Sequence, residues 1–300
     1  MRLGPAVLWL LVGAVAGTDL GAQAPEVRLV DDSGREVVLP SPPDRIVSLV
    51  PVATEILFGL GAGSRVVGRT RYDEHPPQVL SVPSVGDAIR PSVEAVLLRD
   101  PDLVILIGGS DNASAVQEMD RLGVPFIVVL FNTLPDLRRN VLRLGRIVGR
   151  DSAAAGMWAG IEDDLQAVAR AVAGKARPAV YYDVGYPPAF TVGSGSYLND
   201  LISIAGGRNI FADLEAPSPR VSLEAILARD PDVIVQPSSD TSGARTPSPA
   251  ARSGWEYLRA VQEGSIVSVP AGLLHRLGPR TGEAARALAL ALHPETRGAL

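Results

Sequence analysis

One fourteen-residue stretch occurs twice in this chain. Ser92-Val93-Glu94-Ala95-Val96-Leu97-Leu98-Arg99-Asp100-Pro101-Asp102-Leu103-Val104-Ile105 returns 130 residues later as Ser222-Leu223-Glu224-Ala225-Ile226-Leu227-Ala228-Arg229-Asp230-Pro231-Asp232-Val233-Ile234-Val235. Eight of the fourteen positions are identical, and the rest differ almost wholly among apolar types. Chance rarely produces such a match, so two related halves are expected. Each copy has a mechanical reading: Ser92 or Ser222 caps a helix, Glu94 or Glu224 lies in its first turn, and Asp-Pro-Asp stops it before a strand. Val93, Val96 and Leu97 are then expected to face a sheet. Locally, each glutamate is explained as readily by the helix dipole, worth about 0.3–1 kcal/mol, as by a surface role.

Short apolar, β-branched runs alternate with longer helical patterns: Arg45 to Val50, Leu103 to Ile107, Phe126 to Leu130, Ala179 to Asp183, Val233 to Gln236 and Ser265 to Val269. Bounded by Gly, Pro and Asp, they suit buried parallel strands with helical crossovers, so the fold class is α/β. Between the halves, Asp151 to Ala173 is Ala-rich, with Met157, Trp158, Ile161, Leu165, Val168 and Val172 near helical spacing. A continuous helix there would run roughly 30 Å, about one domain's width. Lobes joined by such a strut should move little against each other. The expected division is a leader over 1–24, an N-terminal α/β lobe over 25–150, a connecting helix over 151–174 and a C-terminal α/β lobe over 175–300. Ser-, Pro- and Thr-rich Pro237 to Gly254 reads as a surface loop before a helix near Trp255.

The start of the chain has the form of an export signal: Arg2, the apolar run Ala6 to Ala16, then small Ala22 and Ala24. That run is short for an uncleaved anchor. Removing it leaves about 275 of the 300 residues, enough for two domains that each bury their own core. No cysteine occurs, which argues against a lipoprotein anchor, a disulfide framework and a thiolate metal site. A periplasmic monomer, secreted through a signal peptide and not a lipoprotein, is expected. The net charge of −5 without a basic block makes nucleic acid an unfavourable partner, and an anionic membrane surface equally so.

Catalytic patterns are weak. His75, His275 and His293 are scattered, with no pair at metal-site spacing, and His293 is expected at the surface. Gly193-Ser194-Gly195-Ser196 lacks the Lys of a phosphate loop and the closing Gly of a nucleophile elbow, so it reads as a turn before a helix at Tyr197. No catalytic residue, resident cofactor or metal site is assigned. The presumed C-terminal ends of the strands, where open α/β sheets bind ligands, instead carry aromatic, proline and hydroxyl groups. Val50 and Pro51 lead into a helix, Arg71 to Pro77 presents Tyr72, and Tyr186 to Phe190 does likewise in the second half. Each Pro-Pro turn is equally readable as structural, with its aromatic packed locally. Leu274 and Arg276, in the stretch Leu273 to Arg280, form a third candidate.

Together these stretches resemble the periplasmic cobalamin-, heme- and ferric-siderophore-binding proteins of ABC importers. The resemblance is carried by Arg45 to Leu49, Thr54-Glu55, Leu60 to Gly63, Val66 to Gly68, Tyr72 with Pro76-Pro77, Val85-Gly86, and Glu94 leading to Pro101 to Val104. In the second half it rests on Gly206-Gly207, Asn209 to Phe211, Glu224 to Ile234 and Gly278-Pro279-Arg280. It implies two Rossmann-like lobes with mostly parallel sheets joined by one long helix, a metal chelate held between them, and delivery to a permease dimer driven by a cytoplasmic ATPase. It also implies that Glu94 and Glu224 dock onto arginines of that two-fold permease.

Arg71 to Gln78 most resembles the cobalamin-binding branch, where an aromatic matching Tyr72 lies against the corrin face. Ala88 and Ser218 stand where that branch places tryptophans, with Asp87, Ile89 and Arg90 as replacement contacts. Two alternatives stay within the family. For heme, Tyr72 or His75 supplies an axial ligand; for a siderophore, Arg71, Arg90, Arg276 or Arg280 pairs with anionic oxygens. A metal-chelate enzyme on the same architecture is a remote alternative, since such enzymes need Cys or clustered His and carboxylates.

Overall fold

The computed structural model describes residues 26–88, 91–109, 113–238 and 247–300. An antiparallel hairpin, β1 (Val27–Val30) and β2 (Glu36–Leu39), opens it. The first lobe follows as β3 (Ile46–Ser48), α1 (Pro51–Gly59), β4 (Val66–Arg69), α2 (Val93–Leu97), β5 (Leu103–Ile107), α3 (Ala113–Arg121), β6 (Phe126–Val129) and α4 (Leu134–Ile147). Helix α5 (Asp151–Ala171) links it to the second lobe: β7 (Ala179–Tyr182), α6 (Tyr197–Ile204), β8 (Arg208–Asn209), α7 (Leu223–Arg229), β9 (Val233–Ser238), α8 (Arg259–Gln262), β10 (Ile266–Pro270), α9 (Ala271–Leu274) and α10 (Thr281–Leu292). The sheets are parallel, ordered β4-β3-β5-β6 and β8-β7-β9-β10. Position for position this is one topology used twice, as the internal repeat requires.

The repeat also folds twice in detail. Ser92 and Ser222 accept the amide hydrogens of Ala95 and Ala225 at 3.3 and 3.2 Å, capping α2 and α7. Each helix then stops at an aspartate in the left-handed region, Asp100 at φ 46° and Asp230 at φ 37°, which short polar side chains tolerate better than most. The second aspartate of each Asp-Pro-Asp pins the first strand of its sheet. Asp102 accepts from the amides of Asp44 and Arg45 at 2.8 and 3.0 Å, and Asp232 from that of Ala179 at 2.6 Å. Val96 is fully buried as expected, whereas Leu97 is 40% exposed, because so short a helix turns only one narrow stripe to the sheet.

Each lobe buries a cluster of its own, and a third, larger cluster is shared between them. Strand residues alternate sides with a period of two. Ile46, Leu103 and Ile105 of the first sheet, and Val180, Tyr182 and Val235 of the second, join a single cluster running through Ala154, Ile161, Leu165 and Val168 of α5. Their neighbours Val47, Val104 and Leu106, and Tyr181 and Ile234, turn to smaller clusters belonging to one lobe each. Burial on both faces explains why the strands read as unbroken apolar runs. His293 is a second correction: only 5% exposed, it lies with Nε2 3.4 Å from the Gly206 carbonyl oxygen.

Of stretch 237–254, residues 239–246 lie outside the described residues, and the described ends are ordered into the second lobe. Pro237 and Ser238 extend β9, and Pro249 and Arg252 are buried. The leader lies outside the described residues.

Candidate functional site

The ends of β3 and β4 build one wall. Ser48 donates its hydroxyl to the Val50 carbonyl oxygen at 3.2 Å, fixing the turn into α1, where Val50 is buried and Pro51 is the first helical residue. After β4, the buried Asp73 carboxylate accepts from the Thr70 amide at 3.0 Å and from its hydroxyl, while the Tyr72 amide donates to the Thr70 hydroxyl at 3.1 Å. Burial holds the Asp73 carboxyl above its ordinary range despite these bonds. The tight turn presents the Tyr72 ring, 47% exposed, with its hydroxyl donating to Asp87 at 2.9 Å. That bond to a carboxylate raises the phenol pKa. Arg71 lies 3.4 Å from the same carboxylate. Ala88 follows half-buried, and Ile89 and Arg90 lie outside the described residues.

The second lobe reaches across to this wall. Arg276 donates to the Tyr72 carbonyl oxygen at 3.0 Å and lies 3.4 Å from Glu74 and 3.5 Å from Glu55. Arg280 donates twice to Glu55, at 3.2 and 3.0 Å, and Glu55 is 5% exposed. At another point the Tyr197 amide donates to the Asn132 carbonyl oxygen at 3.0 Å, and its hydroxyl to that of Leu274 at 2.7 Å. The Leu274 side chain is fully buried, so it offers no surface to a ligand. His275 beside it is exposed, 6.2 Å from the Tyr182 ring between centroids. The Tyr182 hydroxyl is buried with no hydrogen-bond partner among the described residues.

Tyr186, Phe190 and Ser218 form a separate group. Tyr186 meets Trp255 edge-on at 5.9 Å and is covered by the Arg252 guanidinium at 4.6 Å. With Pro188, Arg220, Ser222 and Trp255 it lines a cavity of about 410 Å³ beside α7. Phe190 pairs through its backbone with Gly185 and Arg220, and Ser218 is exposed nearby. Gly193-Ser194-Gly195-Ser196 is a turn capped by Ser196. A Cβ at Gly193 would lie 2.2 Å from the Leu214 carbonyl oxygen, so close backbone approach requires glycine there.

In each lobe this loop region is bonded to the approach of the repeated helix. The Ser92 amide donates to Val85 at 3.2 Å and that of Arg71 to Gly86 at 2.8 Å; those of Val221 and Thr191 donate to Ala189 and Pro219 at 3.0 and 3.1 Å. Glu94 and Glu224 stand exposed in the first turns of α2 and α7. The Glu224 carboxyl is held below its ordinary range by its own amide and the Ser222 hydroxyl.

Two arrangements escaped the sequence. Glu55 gave no sign that it would join Arg276 and Arg280 more than 200 residues away. Asp183 and Arg252, a buried ion pair, sit one on a strand end and one in the low-complexity stretch. Among the described residues no group of His, Asp and Glu is placed to hold a metal ion, and no helix is long and apolar enough to cross a membrane.

A family model described as periplasmic binding protein matches residues 46–273. A cobalamin-binding protein of Halobacterium salinarum is 31% identical over 278 residues, covering 89% of this chain and 74% of that protein. An uncharacterized ABC transporter substrate-binding lipoprotein of Bacillus subtilis is 29% identical over 277 residues, 90% of this chain and 86% of its own length. The crystal structure of the periplasmic vitamin B12-binding protein of Vibrio cholerae superposes with a TM-score of 0.71 at 27% identity, covering 85% of this chain and 99% of that one. Relatives and fold neighbours are solute-binding proteins of transport systems and not enzymes. With one topology used twice and a single connecting helix, the chain belongs to the periplasmic binding protein family, the substrate-binding components of ABC transporters.

Proposed function

We propose that this chain works outside the cytoplasm as the receptor of an ABC importer, holding cobalamin or a related corrinoid between its lobes and handing it to a permease dimer with its ATPase. The observation that carries the ligand reading is Tyr72. Its ring stands exposed at the edge of the first sheet, anchored by Asp87, while a loop of the second lobe reaches its backbone through Arg276. A flat macrocycle is held by buried area and ring stacking on such a surface. The Halobacterium and Vibrio proteins, named for cobalamin and vitamin B12, support the same reading. Asp87, Ala88 and Arg276 complete the contact set on that side, with Phe190 and Ser218 on the other; Ile89 and Arg90, the next residues in sequence, lie outside the described residues.

Glu94 and Glu224 fit the docking role because a duplicated, exposed carboxylate is what a two-fold partner engages twice. Opposite charge at two separated points steers encounter and fixes orientation more than it adds affinity.

Isothermal titration with cyanocobalamin, dicyanocobinamide, hemin and a ferric hydroxamate tests the ligand. Corrinoid binding that weakens about tenfold in Tyr72→Ala is expected, the scale of losing one stacked aromatic. Hemin binding with a Soret shift abolished by Tyr72→Ala, and no corrinoid affinity, would replace the corrinoid with heme.

A further inference from the structure

We propose that an apolar side chain of the permease docks into the cavity beside α7, between Arg220 and Glu224. The proposal rests on the docking reading and gives that surface its chemistry. Tyr186, Pro188, Arg220, Val221, Leu223 and Trp255 line about 410 Å³. Ser222, which caps α7, completes that wall with Leu223, the first residue of the helix, so Glu224 stands one residue beyond it. The cavity is built before any partner arrives. Tyr186 meets Trp255 edge-on, the Arg252 guanidinium lies over both rings at 4.6 and 4.4 Å, and the buried Asp183 carboxylate holds Arg252 in turn. Walls fixed in this way lose little freedom when the space between them is filled. Interfaces place the few side chains that carry most of their affinity in such preformed pockets.

Charge identifies the occupant. Arg220 is exposed, and its guanidinium has no hydrogen bond or ion pair among the described residues. It precedes Glu224 by four residues, and the first half of the sequence repeats that order as Arg90 and Glu94. A lone cation beside a docking glutamate repels the permease arginine meant for that glutamate. Docking tolerates it where the permease also offers a carboxylate. The partner surface that fits is therefore mixed: an arginine for Glu224, an acid for Arg220, and between them an aromatic or leucine side chain that enters the cavity.

The test is association of the full mature protein with the solubilised permease and its ATPase, followed by biolayer interferometry in the wild type, Arg220→Glu, Arg220→Lys, Val221→Trp and Glu224→Arg. Arg220→Glu should weaken association about tenfold, through a slower on-rate whose deficit fades in high salt. Arg220→Lys keeps the charge and should stay close to the wild type. Val221→Trp fills the cavity and should weaken association about as much, through a faster off-rate that salt does not alter. Cyanocobalamin affinity, measured by isothermal titration, should be the same in all of them. Tighter association of Arg220→Glu would mean that the permease is purely basic at this point, and overturns the proposal. So does wild-type association of both Arg220→Glu and Val221→Trp while Glu224→Arg weakens it, a result that leaves the docking reading standing. Lower cyanocobalamin affinity in Val221→Trp with association unaltered gives the cavity to the transported ligand and likewise overturns it. Glu224→Arg without effect refutes the docking glutamate instead, and weakened association in the other two variants then still upholds the cavity as a permease contact. Arg220 is exposed, so Arg220→Glu decides the matter even where Val221→Trp fails to fold.

Discussion

The side chains of Asp183 and Arg252 are both completely buried and bonded to each other through the two terminal guanidinium nitrogens, 69 residues apart in sequence. Arg252 also donates to the Pro247 carbonyl oxygen at 2.8 Å and packs over Tyr186 and Trp255, so the pair ties the end of β7 to the segment before α8. Breaking a buried pair from one side strands the other charge, at a cost of about 3–5 kcal/mol. Arg252→Met should lose that much stability in urea denaturation, and Asp183→Asn with Arg252→Met should lose less than the two single changes together. Strict additivity would show that the two groups are not energetically coupled.

Docking by the repeated helices makes a separable prediction. Glu94 and Glu224 are exposed, so reversing each to arginine should cost only its first-turn dipole interaction, about 1 kcal/mol. Corrinoid affinity should stay at the wild-type value, since neither residue reaches the cleft wall built by Tyr72. Ligand-stimulated ATP hydrolysis by the reconstituted importer should be abolished in the double reversal and reduced in each single one. Unchanged stimulation would refute the docking role.

How far the sequence could be read follows from the range of each interaction. Strands, the connecting helix and the repeat are written in local periodicity, and they appear within a few residues of where the pattern places them. The exposed glutamates and the Tyr72 turn were legible for the same reason. Leu274 and His293 are buried by elements distant in the chain, Leu274 within the cluster shared by both sheets and His293 against the Gly206 segment. Glu55 with Arg280 lies 225 residues apart, and no local pattern announces such a pair. The shared core was hidden in the same way, since periodicity shows that a helix has an apolar face but not that both lobes use it.

Asp32 gives the fold an acid limit. Burial alone would raise its carboxyl pKa, but Arg139, Asn140, Arg143 and the Leu130 amide all donate to it and bring it down to about 2. A folded value below the ordinary 3.8 means the stabilisation is complete above about pH 4 and is lost as pH falls toward 2. Asp32→Asn should therefore cost roughly 2 kcal/mol at pH 7 and much less at pH 2. Chemical denaturation across that range measures it, and an equal cost at both pH values would contradict the assignment.

The shared core predicts how little the lobes move. A receptor whose halves meet only through a flexible hinge can open widely, because each half keeps its own interior. Here Ile161 and Leu165 of α5 belong to one apolar cluster with residues of both sheets, and Glu55 with Arg280 and Asn132 with Tyr197 add polar links across the gap. Opening would expose part of that cluster at about 25 cal/mol per Å² while breaking a buried ion pair. Small-angle scattering of free and cyanocobalamin-loaded protein should therefore differ in radius of gyration by less than about 1 Å, as in other preorganised complexes. Ile161→Ala with Leu165→Ala removes apolar contact from the link while keeping the helix, and should enlarge the difference. A wild type that already contracts by several ångströms on loading would mean that the common core does not restrain the lobes.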